Sequence, residues 1–213
     1  VLDLVGPLQI FTHARKGPLS DPACHTSIVS GSGGHICSNT ILPVDSDPLE
    51  KWLLKPKNSP THTLVAVGGG GIIEAALDRL FVEQVKQLAD RSMRVCSVCS
   101  GALLIAAAGL LDGRRAVAHW ENCKQLVQEY PTIKVEPDPI YIKDGNIWTS
   151  AGITAGIDMA LAIIKEDLGK PAAIDMAHSN VTPMVRSGGQ SQFSPELDRQ
   201  ARDTKERLAI LHG

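Results

Sequence analysis

Short apolar segments alternate along the chain with longer segments that have the periodicity of helices. Residues 63–67 and 94–98 are short apolar runs rich in β-branched residues, and each one ends in small residues before a segment of helical length. Such runs are typical of buried parallel strands, and apolar residues three or four positions apart are typical of helices. The alternation predicts an α/β fold, a three-layer sandwich in which a mostly parallel sheet, with residues 63–67 as a central strand, has helices on both faces.

The remaining elements are predicted from local patterns. One stripe holds four residues, which predicts a single helix over residues 73–91: Ala76, Leu80, Val85 and Leu88. Lys143-Asp144-Gly145-Asn146 separates two apolar runs and predicts a hairpin. Short strands are predicted at residues 27–30, 37–42 and 115–118, and helices at residues 150–168 and 172–181.

Cys99 follows the predicted strand 94–98 within Ser97-Val98-Cys99-Ser100-Gly101. A Ser-x-Cys-x-Gly turn between a strand and a helix has the layout of a nucleophile elbow, with the Ser100 amide as one oxyanion donor. The free amides and the dipole of the following helix favour a thiolate at this position. A buried, inert cysteine remains an alternative. A redox or zinc pair with Cys96 is less favoured, because Cys96 lies inside the strand and no second Cys/His pair has zinc spacing.

Two other groups of residues are predicted to lie at the ends of strands. Glycines 68–71 follow residues 63–67, and His119 follows residues 115–118. Because ligands bind at the carboxyl ends of parallel strands, Cys99, the glycines and His119 are expected to converge on one site. The glycine run matches neither a dinucleotide fingerprint nor a phosphate loop, so no nucleotide is inferred and no cofactor is predicted.

Composition limits the classes of function. The chain has 213 residues, 43% of them apolar, which suits one large domain. The net charge of -2 argues against nucleic-acid binding by this segment itself. No apolar run reaches 18 residues and no signal peptide is recognisable, so we expect no membrane partner. Five cysteines, an odd number, are typical of a reducing compartment and favour a cytoplasmic location.

Several motifs together resemble one superfamily. They are residues 2–7, the glycines after Val67, residues 98–102 and 108–116, His119-Trp120 and residues 149–158. The chain resembles the PfpI-like, class I glutamine amidotransferase-like superfamily and, within it, the amino-terminal domain of AraC-family transcription regulators. This resemblance implies a flavodoxin-like fold, with residues 1–194 as a ligand-sensing domain and residues 195–213 as a linker helix toward a helix-turn-helix domain that is missing here. A first strand is expected before Val1.

The resemblance also assigns roles to individual residues. Cys99 matches the elbow cysteine of the superfamily, Asp3 the acid that approaches it, and His119 a histidine that assists the cysteine in some members. The predicted catalytic residues, active or vestigial, are Cys99, Asp3 and His119, and no metal ligand is predicted. The predicted ligand-binding residues are Asp3, Gly70, Gly71, Cys99, Ser100, His119 and Thr154.

Asp3 also has a simpler interpretation as a helix cap or first-turn acid. Protonated Asp3 would donate a hydrogen bond to a thiolate, and ionised Asp3 would raise the pKa of Cys99. Trp120 is predicted to be a packing residue and Glu121 to face solvent. Four residues of the helix over residues 150–168 are predicted to face either the core or a second protomer: Met159, Leu161, Ile163 and Ile164.

Three functions follow from this resemblance. The first is an effector-sensing, dimerising domain of a transcription regulator that binds a small polar metabolite and reaches DNA only through its missing domain. The second is a cysteine-dependent hydrolase or hydratase. In similar isonitrile hydratases the equivalents of Asp3 and Cys99 add water to an isonitrile, although Ser100 replaces their threonine. The third, a protein with a reversibly oxidised Cys99, is the weakest.

Overall fold

The computed structural model describes residues 1–17, 20–56 and 61–183. The helices are α1 Leu2–His13, α2 Leu49–Leu53, α3 Ile72–Leu77, α4 Arg79–Ala89, α5 Gly101–Ala107, α6 Trp120–Glu129, α7 Thr154–Leu168 and α8 Lys170–Ser179. The strands are β1 Val29–Ser30, β2 Gly34–Cys37, β3 Pro43–Pro48, β4 Thr61–Val67, β5 Ser92–Val98, β6 Arg115–Ala116, β7 Lys134–Val135, β8 Tyr141–Asp144 and β9 Ile147–Ser150. Within these ranges, no helix combines the length and apolar character needed to cross a bilayer.

The main sheet has the strand order β4-β5-β9-β8. β4, β5 and β9 run parallel, with Cys96 of β5 opposite both Val65 and Trp148, and β8 is antiparallel to β9. Two small sheets, β1-β3-β2 and β6-β7, accompany it. The mostly parallel sheet and the β8–β9 hairpin are therefore confirmed, and Gly145, at a φ of 64°, makes the turn of the hairpin.

Helices cover the main sheet on both faces, as predicted. On one face, buried residues of α4, α5 and α6 form a single core, which includes Leu88, Ile105 and Leu126. On the other face, α7 packs against the sheet and against α1 and α8. Four α7 residues are at most 1% exposed, which assigns them to the core rather than to a protomer surface: Met159, Leu161, Ile163 and Ile164.

Among the described strands β4 lies at one end of the order β4-β5-β9-β8, next to β5, so its prediction as a central strand stays a prediction. Only Ala66 of β4 is fully buried, whereas five consecutive residues of β5, from Arg94 to Val98, are buried. An apolar run in the sequence indicates that a strand is covered by helices. It does not record how many strands flank it.

The helix predicted over residues 73–91 is two helices, α3 and α4, which meet at Asp78. The Asp78 carboxylate accepts hydrogen bonds from the amides of Leu80 and Phe81, at 3.0 and 3.1 Å, and so begins a new helix. Leu80 is 70% exposed, whereas Val85 and Leu88 are buried. Within α4 the predicted stripe is therefore correct for Val85 and Leu88 and wrong for Leu80.

Other predicted boundaries also shift. The strand predicted at residues 37–42 is wrong, because β2 ends at Cys37 and the following loop is held by a hydrogen bond from the Ser38 hydroxyl to the Leu42 carbonyl at 2.8 Å. The strand predicted at residues 115–118 ends at Ala116. Residues 188–194, the predicted linker helix over residues 195–213 and the domain boundary at residue 194 lie outside the described residues.

The carboxyl-terminal end of α7 is fixed to the sheet by ion pairs. Arg94 of β5 binds Asp167 through two hydrogen bonds of 2.8 and 2.7 Å, and Lys143 of β8 pairs with Glu166. The hydrogen bonds from Arg94 lower the pKa of Asp167, and those to Asp167 raise the pKa of Arg94. Because the Arg94 side chain is only 10% exposed, this pair is better shielded from solvent than an ordinary surface pair.

We expect Asp78→Ala to lower the free energy of unfolding by about 1 kcal/mol, since α4 loses its amino-terminal cap. Asp78→Ser should retain most of the stability. The matched control is Asp90→Ala at the other end of α4, where the lost pair with Lys86 is exposed and a negative charge opposes the helix dipole. Urea denaturation measures all three, and equal losses for Asp78→Ala and Asp90→Ala would contradict the capping role.

The ion pair at the end of α7 predicts a pH dependence. The pKa of Asp167 is lowered in the folded protein, so its stabilising effect is present above the unfolded pKa of about 3.9 and disappears as the pH falls below that value. Asp167→Asn should therefore lower Tm clearly at pH 7 and much less at pH 3. A Tm difference between the two proteins that is the same at both pH values would contradict this assignment.

Candidate functional site

Cys99 occupies a sharp turn between β5 and α5. Its φ is 60°, a left-handed conformation that non-glycine residues rarely adopt, and its amide donates to the Ser150 carbonyl at 3.0 Å. Gly101 follows at the start of α5, where a Cβ would lie 2.3 Å from the Ala66 carbonyl oxygen. This succession of strand, strained residue and glycine-started helix has the backbone arrangement of a nucleophile elbow.

Gly152 packs directly against Cys99 from the end of β9. A Cβ at Gly152 would lie 2.3 Å from the Cβ of Cys99 and 2.9 Å from its Sγ, distances that real Cβ atoms do not show. The φ of Gly152 is 94°, which also favours glycine. The thiol therefore touches bare backbone on this side, and any side chain at position 152 would displace it.

Asp3 reaches the same place from the first turn of α1. Its Oδ1 accepts a hydrogen bond from the Ile153 amide at 2.5 Å, immediately before α7. Its Oδ2 lies 3.0 Å from the position that a Cβ of Gly68 would occupy. Because the positive ends of two helix dipoles meet here, Asp3 occupies a favourable position for negative charge. Asp3 is therefore both an acid in the first turn of α1 and a neighbour of Cys99.

Burial and the negative charge of Asp3 raise the pKa of the Cys99 thiol to about 11. A hydrogen bond from the thiol to Asp3 acts in the same direction, while the amide and hydroxyl of Ser100 partly oppose it. Cys96 is fully buried and its pKa is raised to about 12, mainly by burial. Cys96 and Cys99 are both free thiols, and the described residues contain no group of three or more metal-binding side chains.

The first two glycines of the run after β4 contact Ser100. The Gly69 amide donates to Ser100 Oγ at 3.3 Å, and a Cβ at Gly68 would lie 2.7 Å from the same oxygen. Gly70 and Gly71 are exposed and would have open space around a Cβ, so their roles as ligand-binding residues stay predictions. The chain cannot carry a side chain at Gly68 without moving Ser100.

His119 is the residue before α6, and its imidazole contacts the next turn of the chain. Its ring centroid lies 5.5 Å from that of Trp120, and its Nδ1 lies 3.6 Å from Oε2 of Glu121. Glu121 faces solvent as predicted, but Trp120 is 59% exposed, so its prediction as a packing residue is wrong. The sequence does not show whether a large aromatic residue between a strand and a helix packs in the core or is exposed to solvent.

The structure thus brings Asp3, Cys99 and Ser100 together and places His119 on a separate segment. Thr154 is the exposed first residue of α7, next to the Ile153 amide that binds Asp3. The sequence predicted Gly68 only as part of the glycine run at the site, and it gave no role to Gly152 or Ile153. The signal for the two glycines was that Gly68 directly follows β4 and Gly152 follows β9 by two residues, and a close backbone approach is common after strands.

Comparisons with known proteins agree with this geometry. A sequence model described as the DJ-1/PfpI family matches residues 22–166. An isonitrile hydratase from Pseudomonas putida is 35% identical over 146 residues, which cover 65% of this chain and 61% of the hydratase. The HTH-type transcriptional regulator GlxA from Rhizobium meliloti (strain 1021) is 31% identical over 179 residues, which cover 84% of this chain and 53% of the regulator. The chain therefore spans little more than half the length of these relatives.

Solved structures share the fold. The crystal structure of a THiJ/PfpI family protein from Pseudomonas syringae superimposes with a TM-score of 0.71 at 28% identity, covering 87% of this chain and 72% of that one. Structural neighbours below 25% identity include an AraC family transcriptional regulator, which shares the fold alone. The family match over residues 22–166 and the identity with these relatives confirm the predicted resemblance, and the chain belongs to the DJ-1/PfpI family.

Proposed function

We propose that residues 1–194 form the effector-sensing and dimerisation domain of an AraC-family transcription regulator. In this proposal a small polar metabolite binds in a pocket around Cys99, and DNA is bound only by a separate helix-turn-helix domain in the cytoplasm. Residues 195–213 would link the two domains. The 31% identity with a helix-turn-helix regulator over 84% of this chain supports the proposal. We expect a homodimer, since such regulators commonly present two DNA-binding domains to two half-sites.

The similarity to a helix-turn-helix regulator over 84% of this chain carries the preference for binding over catalysis, and the raised pKa of Cys99 supports it. With a pKa of about 11, on the order of one Cys99 in ten thousand is a thiolate at pH 7. Thiols react as nucleophiles through the thiolate, so the free protein holds this cysteine in its less reactive form. Asp3, Cys99 and Ser100 then serve as hydrogen-bonding groups that line a pocket, and an effector that binds them would change the relative placement of two protomers.

A second candidate, an isonitrile hydratase-like enzyme, is favoured by the hydrogen bond between Cys99 and Asp3 and by the 35% identity with such an enzyme. In that reaction the Cys99 sulfur would add to the terminal carbon of the isonitrile. The thiol proton would pass through Asp3 to the same carbon, which gives a thioimidate. Water would then replace the sulfur, releasing an N-substituted formamide and restoring the thiol.

We expect Asp3→Asn to lower the pKa of Cys99, because the neighbouring negative charge is lost while the amide oxygen can still accept from Ile153. Alkylation of Cys99 by iodoacetamide, followed peptide by peptide with mass spectrometry, should become about tenfold faster at pH 8. In the unmodified protein the rate should keep rising until about pH 11. Asp90→Asn, on the exposed end of α4, is the matched control, and a wild-type midpoint below pH 8 would refute the assignment.

The proposed function is tested by ligand binding and by the size of the native protein. A metabolite screen by thermal shift should find a ligand that raises Tm and protects Cys99 from alkylation, and both effects should weaken in Asp3→Asn. The native protein, detected by immunoblot in its own cell, should exceed this chain by roughly one small domain of about 100 residues. Conversion of an alkyl isonitrile to its formamide, abolished by Cys99→Ala, would instead establish the hydratase.

A further inference from the structure

Ile153 stands next to the Cys99–Asp3 pair. Its amide donates to Asp3 Oδ1 at 2.5 Å, and Asp3 accepts a hydrogen bond from the Cys99 thiol. Gly152, the residue before it, packs on the cysteine itself. The Cβ of Ile153 is two covalent bonds from its amide nitrogen, so the side chain begins beside the Asp3 carboxylate. The contacts of its own backbone therefore place Ile153 at the candidate site.

The backbone of Ile153 has a conformation that suits glycine. Its φ and ψ are 52° and -116°, and the Gly152 carbonyl accepts a hydrogen bond from the Ala155 amide at 3.0 Å. These are the values of the second residue of a type II′ turn, where glycine is preferred because a Cβ is crowded. Isoleucine is even less suited to this position, since its side chain branches at Cβ. The side chain at position 153 is therefore held at a cost in stability.

Packing in the core does not account for this side chain. Ile157, one turn further along α7, packs against the core that α1, α7 and α8 share, whereas Ile153 is 46% exposed. A glycine at position 153 would relieve the backbone strain and remove apolar surface from solvent. The presence of isoleucine instead indicates a use for the side chain outside the core.

The other residues with rare backbone conformations support this interpretation. In the part of the chain that the structure describes, three non-glycine residues have a positive φ: Cys99, Ile153 and Val181. Val181 follows the end of α8, where a left-handed residue commonly ends a helix. Cys99 and Ile153 both contact Asp3. Residues held in such conformations cluster at binding and catalytic sites.

We propose that Ile153 is a specificity-determining residue, whose side chain provides apolar contact area beside Cys99 and Asp3 for part of a ligand. The ligand is then an amphipathic small molecule. Its hydrogen-bonding group meets Asp3, Cys99 and Ser100, and an alkyl or aryl substituent on that group packs on Ile153. This inference rests on the proposed function in taking the surroundings of Cys99 as the ligand site, and it narrows the class of metabolite.

The test compares two reagents that alkylate the same thiol, iodoacetamide and N-benzyliodoacetamide, by peptide-resolved mass spectrometry at pH 8. The ratio of the benzyl rate to the iodoacetamide rate does not depend on the pKa of Cys99, because both reagents react with the same thiolate. Cys37, exposed on β2, provides the reference ratio within each protein. In the wild-type protein the ratio at Cys99 should exceed that at Cys37 by about fivefold, since the benzyl group buries apolar surface against Ile153.

Ile153→Val and Ile153→Thr are a matched pair, because both keep the branch at Cβ and they differ by a methyl group against a hydroxyl group. Ile153→Val should retain most of the preference for the benzyl reagent, and Ile153→Thr should lower it by about threefold. Ile153→Gly should lower the preference at least as far and raise Tm, because the backbone strain is relieved. Val181→Gly, at another exposed left-handed residue, should also raise Tm and leave the preference unchanged.

Equal ratios at Cys99 and Cys37 in the wild-type protein would overturn the proposal, and so would equal preferences in wild type and Ile153→Thr. A clear fall in Tm on Ile153→Gly would assign the side chain to packing, which also overturns it. The proposed function fails or stands separately. If a metabolite protects Cys99 while Ile153→Thr keeps the wild-type preference, the sensing proposal stands and the specificity role fails. If no metabolite binds while the preference falls in Ile153→Thr, the apolar contact at Ile153 stands and the sensing proposal fails.

Discussion

The contact between Cys99 and Gly152 is the constraint on which the rest of the site depends. Both residues have left-handed φ values, 60° and 94°, and they end adjacent parallel strands at the same edge of the sheet. From this edge the chain leaves in opposite directions, since α5 covers one face of the sheet and α7 the other. Such a divergence opens a crevice between neighbouring strands, which is where ligands of open α/β sheets bind. The order and direction of the strands and helices therefore determine the position of the candidate site, whatever side chains it carries.

The second constraint is the electrostatic environment of Cys99. It affects the reactivity of the thiol without changing the backbone geometry of the turn. An elbow at the start of a helix favours a thiolate, but Asp3 and burial act in the opposite direction and raise the pKa of Cys99. Asp3 reaches the cysteine because the amino-terminal ends of α1 and α7 converge on it. The charge on one carboxyl group therefore opposes the formation of a thiolate at a position where the backbone favours it.

The sequence correctly predicted those features of the structure that depend on residues close together in the chain. The strand, Cys99 and the helix after it follow one another in the chain, and the hairpin turn is marked by Gly145, so both were predicted correctly. The role of Gly152 depends on its contact with Cys99, a residue far away in sequence, and the periodicity of apolar residues does not show such a contact. Asp78 was missed for a different reason, because an apolar stripe continues through the cap that divides the helix.

The ion pairs at the far end of α7 have a mechanical consequence. Arg94 and Lys143 hold Asp167 and Glu166, so the carboxyl-terminal end of this 15-residue helix is anchored to two strands. Its amino-terminal end, about 22 Å away at 1.5 Å per residue, lies next to Asp3 and Cys99. Ion pairs at one end of a helix resist sliding of the helix along its axis more than they resist tilting about that end. Since α8 packs on α7, any such tilt would move the two helices together.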